Sequence, residues 1–203
     1  MSERAKKIIE ALRKNNFKAQ YFDDVESALD ALLNKIKVDE SVGIGGSMTI
    51  SQLDIPNILK KRGNEVHFHW LESTPEGIDS ARLLASRCDV YLTSTNALTE
   101  KGQLINIDGI GNRATSMVYG PKKVYIICGI NKIAKNVDDA IELIKNNAYK
   151  NARRLKLNTP CAVTGKCNDC DSPQRMCNVT VIIEKNPNKI EIEVLLINKE
   201  LGY

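Results

Sequence analysis

The chain has no stretch approaching the roughly 18 consecutive apolar residues that a membrane span requires. Nor does its start, Met1 to Glu10, carry the apolar core of a signal peptide. These two absences predict a cytoplasmic protein without membrane partners, in a compartment where thiols stay reduced. Long basic runs are missing as well, and 29 Lys and Arg against 25 Asp and Glu leave a formal charge of only +4. Nucleic-acid binding usually leaves a concentrated basic face, so no nucleic-acid partner is expected. Internal repeats and low-complexity linkers are also absent. A chain of 203 residues with 42% hydrophobic content suffices for one domain, 1–203, with a full core.

What the chain does have is a crowd of cysteines near its end: Cys161, Cys167, Cys170 and Cys177, spaced C-x5-C-x2-C-x6-C. The segment is too polar to be burying them as small hydrophobes. In a reducing compartment such density favours metal or redox chemistry over disulfides. Two centres suit four thiolates: a [4Fe–4S] cluster and a tetrahedral zinc ion. Structural zinc sites often pair two C-x2-C knuckles, whereas this chain has only Cys167-x2-Cys170. The irregular outer spacings, with Pro160 directly before Cys161, favour the cluster, with zinc as the alternative and metal-free thiols or disulfides behind both. Charge does not separate the two, since either centre with its thiolates carries about −2. Lys166, Arg175, Arg153 and Arg154 stand near to offset it. Cys88 and Cys128 sit in or beside apolar segments and read as buried and inert.

Hydrophobic periodicity alternates between helix and strand along most of the chain. Helices are expected over 2–15, from Asp24 as N-cap to Ile36, over 49–61, from Pro75, over 111–119 and over 136–157. Strands are expected over 17–22, 41–46, 66–70, 89–94 and 123–128, with a short extended piece at 103–107. This order predicts an α/β fold, a mostly parallel sheet with helices on both faces. The tail departs from it: 179–183 and 190–197 read as two strands of a terminal hairpin turned at Asn186-Pro187-Asn188. Residues 158–203 would then be a metal-binding loop followed by that hairpin. His67 and His69 would share a strand face, read as a solvent-facing or core-edge pair, and Trp70 as packing.

Two loops concentrate groups able to hold a ligand. In Val42-Gly-Ile-Gly-Gly-Ser-Met-Thr49 the strand runs into a glycine turn before a helix, so Gly45, Gly46, Ser47 and Thr49 form a candidate cradle for phosphate or carboxylate. It is neither a Walker sequence nor G-x-G-x-x-G, and a capped strand–helix turn is the plainer account. The second loop, Thr93 to Arg113, begins where a strand ends, the usual place for ligands in α/β sheets. Ser94, Asn96, Asp108, Gly109, Gly111, Asn112 and Arg113 are its candidate pocket residues. Arg113 is suited to a bidentate grip on an anion, and Glu100 is the candidate base or nucleophile. Against this, Asn96, Asp108 and Gly109 are also ordinary turn-formers.

Val42 to Thr49, Asp89 to Gly102, Asn106 to Arg113 and Val124 to Lys132 together resemble the lactate-utilisation (LUD) domain family, in particular its members with a four-cysteine tail of the form Pro-Cys…Thr-Gly-Lys-Cys…Asp-Cys…Ser-Pro…Arg…Cys. The resemblance implies the fold of ribose-5-phosphate isomerase, glucosamine-6-phosphate deaminase and CoA transferases, in which the two loops face the ligand. It also implies a link to L-lactate oxidation alongside iron–sulfur subunits, although fold alone does not deliver a reaction.

Two functions from different classes follow. One is electron transfer during oxidation of lactate or another small hydroxy acid, with a small anionic metabolite and a redox protein as partners. The other is a non-redox enzyme or ligand-binding protein of the sugar-phosphate-isomerase class with structural zinc. A third possibility is an assembly subunit docking through the tail hairpin, and a homodimer is compatible with any of them.

Overall fold

The computed structural model describes all 203 residues. Its elements follow in chain order as α1 (Glu3–Lys14), β1 (Lys18–Phe22), α2 (Val25–Leu33), β2 (Val42–Ile44), α3 (Met48–Gln52), α4 (Ile55–Arg62), β3 (Val66–Phe68), α5 (Pro75–Ala85), β4 (Val90–Thr93), β5 (Ala97–Thr99) and β6 (Leu104–Asp108). After these come α6 (Asn112–Val118), β7 (Lys123–Gly129), β8 (Ile133–Ala134), α7 (Val137–Arg154), α8 (Pro160–Thr164), β9 (Val179–Ile183) and β10 (Glu191–Ile197). No helix is long and apolar enough to cross a membrane.

Six strands form one parallel sheet in the order β1-β10-β7-β4-β2-β3. Its inner strands are buried on both sides, which is why they read as continuous apolar runs. Side chains alternate between faces with period two. On β7, Val124, Ile126 and Cys128 join Ile8, Ile9 and Leu12 of α1 in one core. Tyr125 and Ile127 point the other way, toward Leu32 of α2, Ile50 of α3 and Leu59 of α4. A second sheet, β8-β5-β6-β9, lies beside the first core, and α7 covers it through Ala140 and Ile144 against Ala97, Ile105 and Ala134.

The tail hairpin does not form. β9 pairs antiparallel with β6 in the small sheet, whereas β10 crosses to the large sheet and lies parallel between β1 and β7. The sequence of β10 gives the reason: Ile192, Val194, Leu195, Leu196 and Ile197 are buried almost completely, and a two-stranded hairpin offers only one face for burial. Asn186 turns the chain between the sheets, its side chain donating to the Ile190 carbonyl and accepting from the Ile192 amide. The docking hairpin expected from the sequence is therefore replaced by a central strand.

One helical and one strand expectation are also revised. The helix over 49–61 is two, because Asp54 takes a left-handed conformation (φ 52°) between them and Pro56 opens the second. The strand from Val66 ends at Phe68, and His69–Leu71 form a 3-10 turn. Asp24 caps α2 as expected, accepting from the Ser27 amide.

Candidate functional site

The carboxyl ends of β2, β4 and β7 are neighbours in the large sheet, so the segments after them converge at one rim. Gly45 continues the ladder by donating to the Leu92 carbonyl at 2.9 Å. A Cβ on Gly45 would lie 2.7 Å from the Tyr91 hydroxyl and 3.0 Å from Cγ of Arg113. One on Gly46 would sit 3.2 Å from the His69 ring. The glycines thus let Arg113 on one side and His69 on the other close on the turn. Ser47 spends its hydroxyl capping α3, accepting from the Ile50 amide at 3.3 Å. That helix has five residues, too few for a strong dipole.

Arg113 occupies a different role from the one its sequence suggests. Its Nε donates to Asp108 at 3.0 Å, its Nη1 to the Ser94 carbonyl and Asn106, and its Nη2 to Asn96, the Ile107 carbonyl and Asp108. All five donors are engaged within the protein, and two of them, Nε and Nη2, converge on Oδ1 of Asp108 rather than on a ligand. Asp108 also accepts from the Ala114 amide at 2.8 Å, fixing the start of α6. Arg113 and its partners build a wall of the cavity; they do not present a free guanidinium.

Glu100 is not in that cavity. It lies at the β5–β6 turn, half exposed, and its carboxylate accepts from Nε of Arg4 at 2.7 Å. The turn is on the far side of the short β5 strand from Asn96, which explains why one continuous loop in sequence divides into a pocket end and a surface end. The pocket end comprises Ser94, Asn96, Asp108, Gly109, Asn112 and Arg113, all of which line the cavity together with Gly46 and Ser47. Gly45 and Thr49 lie behind it, and Gly111 is the left-handed N-cap of α6 (φ 91°).

The cavity has a volume of about 590 Å³. Several of its groups escaped the sequence reading. Lys132, just after β7, is buried and donates to the hydroxyls of Thr49 at 3.0 Å and Ser94 at 2.8 Å. Burial pushes its pKa down to about 8, helped by the positive charge of Arg113 and opposed by Cys128. His69 is pushed down to about 4 by burial, then by Arg82 and Arg154. Arg154 stacks over Trp70 at 4.3 Å and donates to the Tyr203 hydroxyl at 3.2 Å. Of the charged lining residues, Arg82, Arg113, Lys132, Lys150 and Arg154 outnumber Asp108 and Glu200, so the cavity favours anions.

The cysteine tail abuts the same cavity, with Met176 and Cys177 in its lining. A Cβ on Gly109 would meet Met176 at 3.2 Å, and the Asn178 amide donates to the Asp108 carbonyl at 2.9 Å. Arg175 braces the tail by donating to the carbonyls of Cys170 at 2.6 Å and Cys177 at 3.2 Å. All four tail cysteines are free and half-buried. Burial raises the Cys177 thiol, and Cys167, Cys161 and Cys170 act in the same direction against Arg175. The four thiols are thus within electrostatic reach of each other. No three His, Cys, Asp or Glu side chains converge closely enough to hold a single metal ion. Cys88 and Cys128 are buried and free.

Residues 5–197 match the LUD domain family. The chain belongs to that family, which is linked to lactate utilisation. No curated protein matches the chain in sequence. Among solved structures, a DUF162 family protein from Deinococcus radiodurans has the same fold, with a TM-score of 0.56 over 97% of this chain and 99% of that one. At 10% identity the likeness concerns the fold alone. The α/β architecture and family expected from the sequence are therefore the ones found.

A signal for Lys132 and Asn131 was present in this LUD domain's sequence, since both directly follow an apolar strand. Nothing local pointed to Arg154 or Tyr203, which reach the cavity only through the packing of α7 and the final turn.

Proposed function

We propose that this LUD protein holds a [4Fe–4S] cluster through Cys161, Cys167, Cys170 and Cys177 and takes part in oxidising a small 2-hydroxy acid in the adjoining cavity. The observation that carries this reading is the place of Cys177: it belongs both to the cysteine tail and to the lining of the cation-rich cavity. Four free thiols are the donor set of such a cluster. A zinc ion held by the same thiolates is the alternative. When bound, the cluster would supply one-electron redox chemistry.

The protein's own groups have separate tasks. Arg82, Lys150 and Arg154 draw a carboxylate into the cavity, and Trp70 with Arg154 forms a flat wall. His69, kept neutral at ordinary pH by burial, offers a ring nitrogen as a hydrogen-bond partner for the substrate. The volume falls in the range of roughly 300–1,000 Å³ typical of small-molecule sites, which leaves room for hydroxy acids larger than lactate. Oxidation of a hydroxy acid to an oxo acid releases two electrons and two protons; a cluster would take one electron, so each substrate oxidised would reduce two chains, or one chain and a redox partner protein.

The test uses oxidised protein purified without oxygen, mixed with L-lactate and a series of longer 2-hydroxy acids while the visible band is followed. Bleaching by at least one acid, absent in Cys177→Ser, is expected. A band that dithionite bleaches and no hydroxy acid affects contradicts this function.

A further inference from the structure

Lys132 is a buried primary amine with no carboxylate partner. A charged lysine in that position is disfavoured, and the usual remedy, an Asp or Glu within bonding distance, is absent here. Its two hydrogen-bond partners are the neutral hydroxyls of Thr49 and Ser94. The charged neighbour from α6 is Arg113, of like sign, and the titratable neighbour from β7 is Cys128, a buried thiol. Desolvation beside another cation is one of the arrangements that make a lysine nucleophilic. Gly202, at φ 63°, lets the final turn lie directly on the amine; a Cβ there would come within 3.2 Å of Nζ and 2.6 Å of the Thr49 hydroxyl. With two N–H bonds directed at hydroxyls, the neutral amine keeps its lone pair free, and Lys132 lines the cavity.

We propose that Lys132 is a catalytic amine that forms an imine with a small anionic aldehyde or ketone, such as a 2-oxo acid, bound in the cavity. The Nζ lone pair attacks the carbonyl carbon, and the carbonyl π pair moves to oxygen, which takes a proton. The carbinolamine then loses this oxygen as water while Nζ gives up its hydrogens, leaving C=N. No oxidant or reductant is consumed. Arg82, Lys150 and Arg154 supply the charge that holds the carboxylate. The inference rests on the cavity accepting a small anion and is independent of any cluster in the tail.

Pyruvate with sodium cyanoborohydride tests it, because reduction fixes the imine as a stable secondary amine. At pH 8 about half of Lys132 is in the amine form, against roughly one part in 250 for an exposed lysine of pKa 10.4. One reduced pyruvyl group per chain, mapped to Lys132 and lost in Lys132→Arg, is expected. Should that variant fail to fold, the unmodified sequence still decides: at limiting pyruvate the first group incorporated must map to Lys132 ahead of the exposed lysines. Adducts spread over surface lysines, with none at Lys132, overturn the proposal. If calorimetry then shows pyruvate binding, the imine alone falls; if it shows none, the anion-binding reading of the cavity falls with it.

Discussion

Arg113 reaches back five residues to Asp108, and the two form an ion pair in which both side chains are about nine-tenths buried. The pair joins the end of β6 to the first turn of α6 and sets the wall on which Ser94, Asn96 and Asn106 are arranged. Removing one partner of such a pair leaves an uncompensated buried charge, which costs about 3–5 kcal/mol. Asp108→Ala is expected to lose stability on that scale in urea unfolding, and a loss below about 1 kcal/mol would show that the guanidinium does not depend on this carboxylate.

The glycines of the β2 turn are not equivalent. A Cβ on Gly43 would lie 2.1 Å from the Ala85 carbonyl oxygen, so β2 and α5 would have to separate. On Gly46 it would meet only the side chains of His69 and Trp70, at 3.2 and 3.4 Å. Gly43→Ala should therefore cost at least the upper end of the ~1–3 kcal/mol typical of overpacking, and Gly46→Ala the lower end. Gly46→Ala should nonetheless weaken anion binding, since it disturbs the wall of the cavity. Equal unfolding midpoints for the two variants would contradict the packing described.

Two bases, half-buried His69 and buried Lys132, give stability an unusual pH profile. His69 titrates near 4 in the fold and near 6.5 when unfolded, so between these values the unfolded chain binds the extra proton. Stability contributed by His69 is present above about pH 6.5 and is lost as pH falls toward 4. Lys132 titrates near 8 in the fold and near 10.5 unfolded, so stability rises with pH across that interval. Urea midpoints measured from pH 4 to 10.5 should show both slopes. His69→Gln should flatten the acid limb and Lys132→Met the alkaline one; unchanged limbs would refute these assignments.

The large sheet was legible because a parallel sheet covered on both faces writes itself as apolar runs separated by amphipathic helices. The small sheet was legible only in part: β6 and β9 read as extended, but β5 has three residues and β8 two, too short for a period to show. β10 was misplaced for a different reason. Its run is as apolar as β7, but its proximity in sequence to β9 suggested a hairpin, and only the gap between β1 and β7 decides otherwise. At the site, the type of residue was readable and its assignment was not. Arg113 was recognisable as an anion-binding side chain, yet its anion is Asp108. Lys132 was marked only by its place after an apolar strand; its importance lies in what is missing around it.

Arg175 bridges the last two cysteines through their carbonyls, and Asp169 in turn accepts from its Nη2 at 2.8 Å. Arg175→Ala should leave the fold of the large sheet intact and reduce iron retained after gel filtration. Metal content equal to that of the unmodified chain would show that the tail is ordered by its metal centre alone.

On the function proposed above, the four cysteines hold an iron–sulfur cluster at the edge of the cavity. Metal and acid-labile sulfide content, determined on protein purified without oxygen, tests it most directly. About four irons and four sulfides per chain are predicted, with a visible band that dithionite bleaches and that is lost in Cys170→Ser. One zinc per chain, no sulfide and no visible band would contradict it and leave the tail a structural staple.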